Sequence, residues 1–410
     1  MSRPTLLIIS QVYVPDPASV GQHVADAAEE MARRGYRVIV YAASRGYDDP
    51  SRHYLSREVL HGVEVRRLPL SSFGKSSITV RLIAQWIFLL QAIARGVMTR
   101  NLAAMMVSTS PPFAGLAGVV IGLFRRCKVV YWVMDLNPDQ MIALGRVTER
   151  SLRARVFRAF NRAILRRADD VVVLDRFMAE RVQKLVDVRT KMSVMPPWPH
   201  EDALESIDHL HNPFRQRHGL SGKFVVMYSG NHSPANPITT VLDAAERLQG
   251  DERLLFLFIG GGTGKKEVED RVSAGVKNIR SLPYQPLSEI KYSLSAGDVH
   301  VVTIGDGVVG IVHPCKVYGA MAVARPILLV GPGVSHVSDL IDRHAMGRHV
   351  RHGDVDGCVR AITEFAGASP DELARMGRRA GEAVATNLSK KQLCGAFCDV
   401  LQRGLATVNS

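Results

Sequence analysis

Residues 298–332, DVHVVTIGDGVVGIVHPCKVYGAMAVARPILLVGP, decide the fold. Val299 to Thr303 reads as a strand buried on both faces, and Ile327 to Val330 as a second one. Between them lie a loop with Gly305, Gly307 and Gly310 and a helix opening near Pro314. Buried strands joined through a helix are the repeat of a parallel α/β sheet. Glycines ahead of a helix start let backbone N–H groups come close to a ligand, which then sits at the positive end of the helix. Lys316 falls in the first helical turn, where a cation opposes the helix dipole. A bound phosphate would offset that; a solvated lysine beside an ordinary turn is the plainer alternative.

The same rhythm runs outward in both directions. Thr5 to Ser10 is a buried strand, and its loop runs from Gln11 to His23 through Pro15, Pro17 and Gly21. A helix from Gln22 to Arg34, ended by Gly35, leads to a strand from Arg37 to Ala42, completing a βαβ unit. Val129 to Val133 forms a strand that ends at Asp135, Asn137 and Asp139. Ligands bind at the carboxyl ends of such strands, although acids there also cap helices. Strands at Asp170 to Leu174 and Met192 to Met195 complete a first domain, and Met195-Pro196-Pro197-Trp198-Pro199 is a stiff link suited to a hinge.

In the second half, Phe224 to Ser229 leads to Gly230-Asn231-His232, and Leu254 to Ile259 leads to Gly260-Gly261-Gly262-Thr263-Gly264-Lys265-Lys266. Ile279 to Leu282 leads to Pro283-Tyr284-Gln285-Pro286. These loops converge at one rim of the sheet, where a phosphate-rich ligand would sit. GGTGKK is not a P-loop, because Lys266 stands where Ser or Thr is required. Asp354-Val355-Asp356 is read as a helix cap and not a metal site. Residues 370–386 and 390–405 read as closing helices.

Several of these segments carry a resemblance. Pro314-Cys315-Lys316-Val317-Tyr318-Gly319, followed by Ala324-Arg325-Pro326, is similar to the P-S-K-x-Y-E-x-x-A-x-G-x-P segment of retaining glycosyltransferases of family 4. Tyr228-Ser229-Gly230-Asn231, Ile259-Gly260-Gly261-Gly262 and Asp135-Leu136-Asn137-Pro138-Asp139 resemble that family's Y-x-G-N, I-G-x-G and D-L-W-P-E segments, in the same order. The resemblance implies an α/β chain of GT-B architecture, two doubly wound Rossmann-like domains facing each other across a cleft. Its expected parts are an acceptor-binding domain over 1–195, a hinge over 196–200, a nucleotide-sugar domain over 201–385 and a last helix over 386–410 crossing back to the first domain.

The implied reaction is metal-independent, hexosyl-type transfer from a nucleotide-diphosphate sugar, UDP favoured, to a glycan or polyprenyl-diphosphate-linked acceptor, with retention and without a cofactor. It belongs to surface-polysaccharide assembly. The implied catalytic residues are Lys316, against the leaving diphosphate, and Asp135, orienting donor sugar or acceptor hydroxyl. The implied donor contacts are Gly21, Gly230, Asn231, Gly261, Tyr284, Gln285, Gly310, Ile311, Val312, Lys316 and Gly319, with Tyr284 and Gln285 at the nucleobase.

The chain departs from the family in three places. Ile311 and Gly319 replace the two glutamates of E-x7-E, Asn231 replaces a common arginine, and Met134 stands where many members place a histidine against the donor sugar. A nucleotide-sugar or glycan-binding protein without turnover therefore remains an alternative. So does a nucleotide-sugar epimerase, whose catalytic acids would come from Asp16, Asp135 and Asp139.

Length and charge set further bounds. A chain of 410 residues calls for two domains. Its five cysteines are scattered without a C-x-x-C pair, which argues against disulfides or zinc, and no signal-peptide pattern opens it, so a cytoplasmic protein is expected. The net charge of +13 lies in the first half, with 29 Lys and Arg against 16 Asp and Glu in residues 1–200 and 23 of each in the remainder. That half should face something anionic.

No segment spans a bilayer, since the charge-free core of residues 76–100 runs only from Leu82 to Ala94. Glu149 to Arg167 reads as a helix with Leu152, Val156, Phe157, Phe160, Ile164 and Leu165 on one face. Arg150, Arg153, Arg155, Arg158, Arg162, Arg166 and Arg167 lie on the rest. These arginines are either solvated or set against the anionic inner surface of a membrane. Nucleic acid is not expected, for want of an aromatic-interleaved basic patch.

Overall fold

The computed structural model describes residues 3–16, 18–46, 51–71, 78–199 and 206–406. Pro17 of the first loop, Ser76 and Ser77 ahead of the second helix, residues 200–205 and residues 407–410 lie outside the described residues. The chain divides into two compact units, Met1–His200 with Lys390–Ser410, and Glu201–Ser389.

The first unit is built on eight strands: β1 (Thr5–Ile9), β2 (Arg37–Ala43), β3 (Arg57–Leu60), β4 (Val63–Leu68), β5 (Leu102–Ser108), β6 (Lys128–Val133), β7 (Asp170–Val173) and β8 (Met192–Val194). Their order in the sheet is β3-β4-β2-β1-β5-β6-β7-β8. The central strands are unbroken apolar runs because helices cover both faces; Leu6 to Ile9 and Ala104 to Val107 are fully buried. The helices of this unit are α1 (Ser19–Arg33), α2 (Ile78–Val97), α3 (Ala114–Arg125), α4 (Asp139–Ala143), α5 (Leu152–Arg167) and α6 (Arg176–Leu185). Ser151 caps α5 by accepting from Ala154 N at 3.2 Å, and Asp175 caps α6 by accepting from Met178 N at 2.8 Å.

The second unit carries α7 (Pro213–Arg217), β9 (Phe224–Ser229), α8 (Thr239–Arg247), β10 (Leu254–Ile259), α9 (Lys265–Ser273), β11 (Ile279–Leu282) and α10 (Ile290–Ser295). It continues through β12 (Val299–Thr303), α11 (Lys316–Ala322), β13 (Ile327–Val330), α12 (His336–His344), β14 (Gly347–Val350), α13 (Val355–Gly367) and α14 (Pro370–Asn387). Its sheet is parallel throughout, in the order β11-β10-β9-β12-β13-β14. Both units are thus the doubly wound, Rossmann-like sheets that the sequence implies.

The last helix, α15 (Lys390–Ala406), packs on the first unit. Lys390 pairs with Asp26 at 2.7 Å, Arg34 pairs with Asp399 at 2.6 Å, and the Phe397 ring lies 4.4 Å from that of Trp132. Trp198 of the proline-rich link joins this cluster, stacking on Trp132 at 5.7 Å and donating its indole N–H to Asp26 at 2.9 Å.

Three local expectations need correction. The strands β3 and β4 pair as an antiparallel hairpin that the sequence does not announce, because the edge strand Arg57–Leu60 is only four residues long and offers no buried run. Helix α1 begins at Ser19, which puts Gly21 inside the helix and not in the loop. In α5, Leu152 and Val156 are exposed, and Ala154, Ile164 and Leu165 are the buried residues, so the packed face is rotated from the one that its apolar residues suggest.

Candidate functional site

In each sheet the strand order reverses beside the first strand of its unit, and such a switch point opens a crevice between the loops at the carboxyl ends. In the second unit the reversal falls between β9 and β12, so the loop after β9 and the segment after β12 flank it. Lys316, at the start of α11, reaches across to β9. Its Nζ donates to the Tyr228 hydroxyl at 2.5 Å and lies 4.0 Å from the centre of the Tyr228 ring. The Tyr228 hydroxyl in turn donates to the Asn231 carbonyl at 2.8 Å. A Cβ at Gly230 would stand 3.4 Å from Lys316 Cε, so glycine there keeps the lysine stem against the backbone. Burial pulls the ammonium from the usual lysine range down to about 7, with no carboxylate acting against it. Lys316 is a desolvated cation held by a hydroxyl and a π-face, and it lacks the anion that would restore its ordinary basicity.

The glycines after β10 fit against the loop after β9. Gly260, at φ +136°, lies so close to the Gly230 carbonyl that a Cβ would overlap it. His232 ties the two loops together. Its N–H donates to Gly261 O at 2.7 Å, its carbonyl accepts from Gly264 N at 2.8 Å, and its buried Nε2 has no hydrogen-bond partner. Burial lowers its imidazole to about 4, which keeps the ring neutral at pH 7. Lys265 donates to the carbonyls of Gly260 and Leu282 at 3.0 and 3.1 Å, so the lysine of GGTGKK bridges β10 to β11. Tyr284 is exposed and its ring covers Gly261, where a Cβ would stand 3.0 Å from Tyr284 Cε2. Gln285 is half-buried beside it and donates to Pro283 O at 2.8 Å.

Three of the implied donor residues, Ile311, Val312 and Gly319, have partners within the protein itself. Ile311 and Val312 both give their N–H groups to Val308 O, at 3.0 and 3.2 Å, and Gly305 gives its own to Ala235 O at 2.9 Å. The Ile311 and Val312 groups close their loop upon itself, the Gly305 group ties that loop to the one after β9, and Gly310 makes the turn possible at φ +68°. Gly319 faces α10, where a Cβ would stand 3.3 Å from Leu294 Cδ1, so its smallness serves helix packing. Sequence reasoning also passed over a hydrogen-bonded set around Tyr318 of the same helix. The Tyr318 hydroxyl lies 2.8 Å from Nε2 of both His313 and His336. The signal was present in H-x4-Y, but nothing local pointed to His336, 18 residues on.

In the first unit, the reversal falls between β1 and β5. Asp135 follows β6, one strand further on. Thr109 Oγ1 accepts from the N–H groups of both Met134 and Asp135 at 3.1 Å, which fixes the strand end. The Asp135 carboxyl is partly open to solvent, and burial pushes its pKa up to about 6. Gly21 is explained without a ligand: a Cβ there would stand 3.2 Å from the Tyr13 backbone, so the residue seats α1 on its own preceding loop. Asp139 begins α4 and lies 3.8 Å from Arg158. Asp16 accepts from Ala18 N at 3.1 Å.

Among the described residues, no group of three or more His, Cys, Asp and Glu is placed to hold a metal ion. Asp354 caps α13 by accepting from Gly357 N at 2.8 Å. Asp354→Ala should therefore lower stability by about 1 kcal/mol in a denaturant titration.

Comparison with known proteins adds to this geometry. Residues 19–198 match the glycosyl transferase 4-like domain family. The chain is 24% identical over 357 residues to the putative colanic acid biosynthesis glycosyl transferase WcaI of Escherichia coli, covering 82% of this chain and 86% of that one. It is 28% identical over 243 residues to the probable glycosyltransferase WbjE of Pseudomonas aeruginosa, a match that spans 58% of this chain and 60% of WbjE. The crystal structure of Anabaena HepE in complex with UDP and glucose superposes with a TM-score of 0.73 at 13% identity, over 98% of this chain and all of that one. The chain has the GT-B architecture of such glycosyltransferases. The matched residues include Gly21 and Asp135, and Lys316 with its glycine loops lies in the second unit.

Proposed function

We propose that the protein is a glycosyltransferase of surface-polysaccharide assembly. It moves a hexosyl group from a nucleotide-diphosphate sugar, UDP favoured, to a glycan or lipid-linked acceptor with retention and without a metal. The observation that carries this reading is Lys316, a desolvated cation at the switch point of the second sheet, between a hydroxyl and the glycines of two converging loops. The WcaI likeness supports the pathway, and the HepE complex with UDP supports the donor class.

Negative charge grows on the diphosphate as the glycosidic bond breaks. A cation already stripped of water and held in place stabilises that charge without reorganising, which lowers the barrier more than it tightens ground-state binding. Tyr284, exposed over Gly261, suits the nucleobase as a stacking surface. Asp135 orients the donor sugar or the acceptor hydroxyl, and the basic first unit takes the acceptor. No protein nucleophile is assigned.

Thermal-shift titration with UDP, GDP and ADP tests the donor site. A ligand at 100 Kd stabilises by about 2.7 kcal/mol, and UDP should give the largest shift. The binding should also depend on pH in a defined direction. The Lys316 pKa stands at about 7 in the free protein and rises when a diphosphate is bound, so binding takes up a proton above pH 7. Affinity is therefore full below pH 7 and falls by up to about tenfold per unit above it, until the pKa of the bound state is passed. Lys316→Met should abolish the slope. A flat profile in the unmodified protein would remove the assignment of Lys316 to the diphosphate, and no shift with any nucleotide would favour binding without turnover or a different ligand.

A further inference from the structure

Helices α2, α3 and α5 lie side by side on one face of the first sheet, with α3 in the middle. Gly115 of α3 is so close to α5 that a Cβ would stand 2.6 Å from Ile164 Cδ1, and a Cβ at Gly96 of α2 would overlap Ile121 of α3. Trp86 of α2 stacks on Phe113 at 5.3 Å, and Phe113 packs on Phe157 of α5 at 4.5 Å. A surface helix on a sheet normally turns polar residues outward. The first two of these helices do not. The outward residues of α2 include Ile83, Trp86 and Leu90, one turn apart, and α3 ends with Leu123 and Phe124 exposed, the latter at 74%. Leu152 and Val156 extend the apolar surface onto α5, where Arg153, Arg155, Arg162 and Arg166 are also exposed. The charge on the three helices themselves has one sign. No Asp or Glu occurs from residue 65 to residue 134, nor within α5.

We propose that this three-helix face docks onto an anionic lipid surface, with the side chains of α2 and α3 inserted at the headgroup boundary and the arginines of α5 set against the lipid phosphates. The apolar layer and its basic border are the two attractions that hold a protein in the plane of a membrane without crossing it. Among the described residues, no helix is long and apolar enough to cross one. A second copy of the chain is disfavoured as the occupant, because a two-fold contact through this face would bring arginines against arginines. The inference does not depend on the donor site.

Trp86 supplies the test. Of the three tryptophans, Trp132 and Trp198 are buried, and Trp86 is 40% exposed in the middle of the face. With vesicles of equimolar brominated phosphatidylcholine and phosphatidylglycerol at low salt, tryptophan emission should be quenched, and Trp86→Phe should remove the quenching while the protein still floats with the vesicles. Pure phosphatidylcholine or high salt should weaken binding strongly. Arg153→Ala with Arg162→Ala should weaken it on the order of 20-fold. Leu123→Ser with Phe124→Ser should weaken it on the order of 100-fold, with an unchanged melting temperature because both residues are exposed. Failure to bind anionic vesicles at low salt would overturn the proposal, as would flotation without Trp86 quenching. So would a dimer in gel filtration that the Leu123 and Phe124 changes convert to a monomer, which would give the face to a second copy. None of these outcomes bears on nucleotide binding, so the two readings fail separately.

Discussion

Lys316→Ala should lower kcat by about 10²–10³-fold, the loss seen when one preorganised donor to a developing anion is removed. The melting temperature should not fall with it. Lys316 makes no ion pair that holds the fold; its Nζ rests on the Tyr228 hydroxyl and ring, and the Tyr228 hydroxyl keeps its own bond to Asn231 O after the lysine is gone. A desolvated ammonium costs the folded state free energy, so its removal is neutral or stabilising for the free protein. Arginine should not rescue activity, because its longer, planar fork spreads the charge and cannot place it at the point where the Lys316 Nζ rests on the Tyr228 hydroxyl. The combination of a lost rate and an intact fold separates catalysis from architecture. Steady-state kinetics with a UDP-sugar, run beside a thermal melt, measures both. A variant with normal turnover would mean that the leaving diphosphate is neutralised elsewhere.

Part of this site was legible in the chain, and the limit has a physical form. Lys316 was legible because its oddity is local, a cation in the first turn of a helix. The parallel sheets were legible because strands buried on both faces read as unbroken apolar runs ending in glycine or proline. Tyr228 as the support of Lys316 was not, since the two are 88 residues apart and meet only when β9 and α11 are assembled. The glycines show a related limit. A glycine marks a close approach without naming what approaches, and at Gly21 and Gly319 the neighbour is the protein's own Tyr13 backbone or Leu294 side chain. The arginine helix shows the same limit, because apolar periodicity names a face but not its partner. In α5 the core takes Ile164 and Leu165 and leaves Leu152 outside.

Gly260→Ala should be among the most damaging single methyl additions in the second unit. Two separate effects coincide at this residue. Its φ of +136° is a conformation that side chains rarely adopt, and the new Cβ would overlap the Gly230 carbonyl across the loop junction. Strain and overpacking of this kind together cost roughly 2–5 kcal/mol. The relief available is for the loop after β9 to move away, and that movement carries Gly230 and Asn231 off Lys316, so nucleotide binding should be lost along with stability. Gly275→Ala is the matched control. Its φ is +89°, but nothing lies within 4 Å of the added carbon, so only the backbone strain remains. That variant should lose about 1 kcal/mol and bind UDP normally. Denaturant titration and a UDP thermal shift on the two proteins separate the terms. Equal nucleotide affinity in both would mean that the junction of the β9 and β10 loops takes no part in holding the diphosphate, whereas loss confined to Gly260→Ala ties binding to the contact between Gly260 and Gly230.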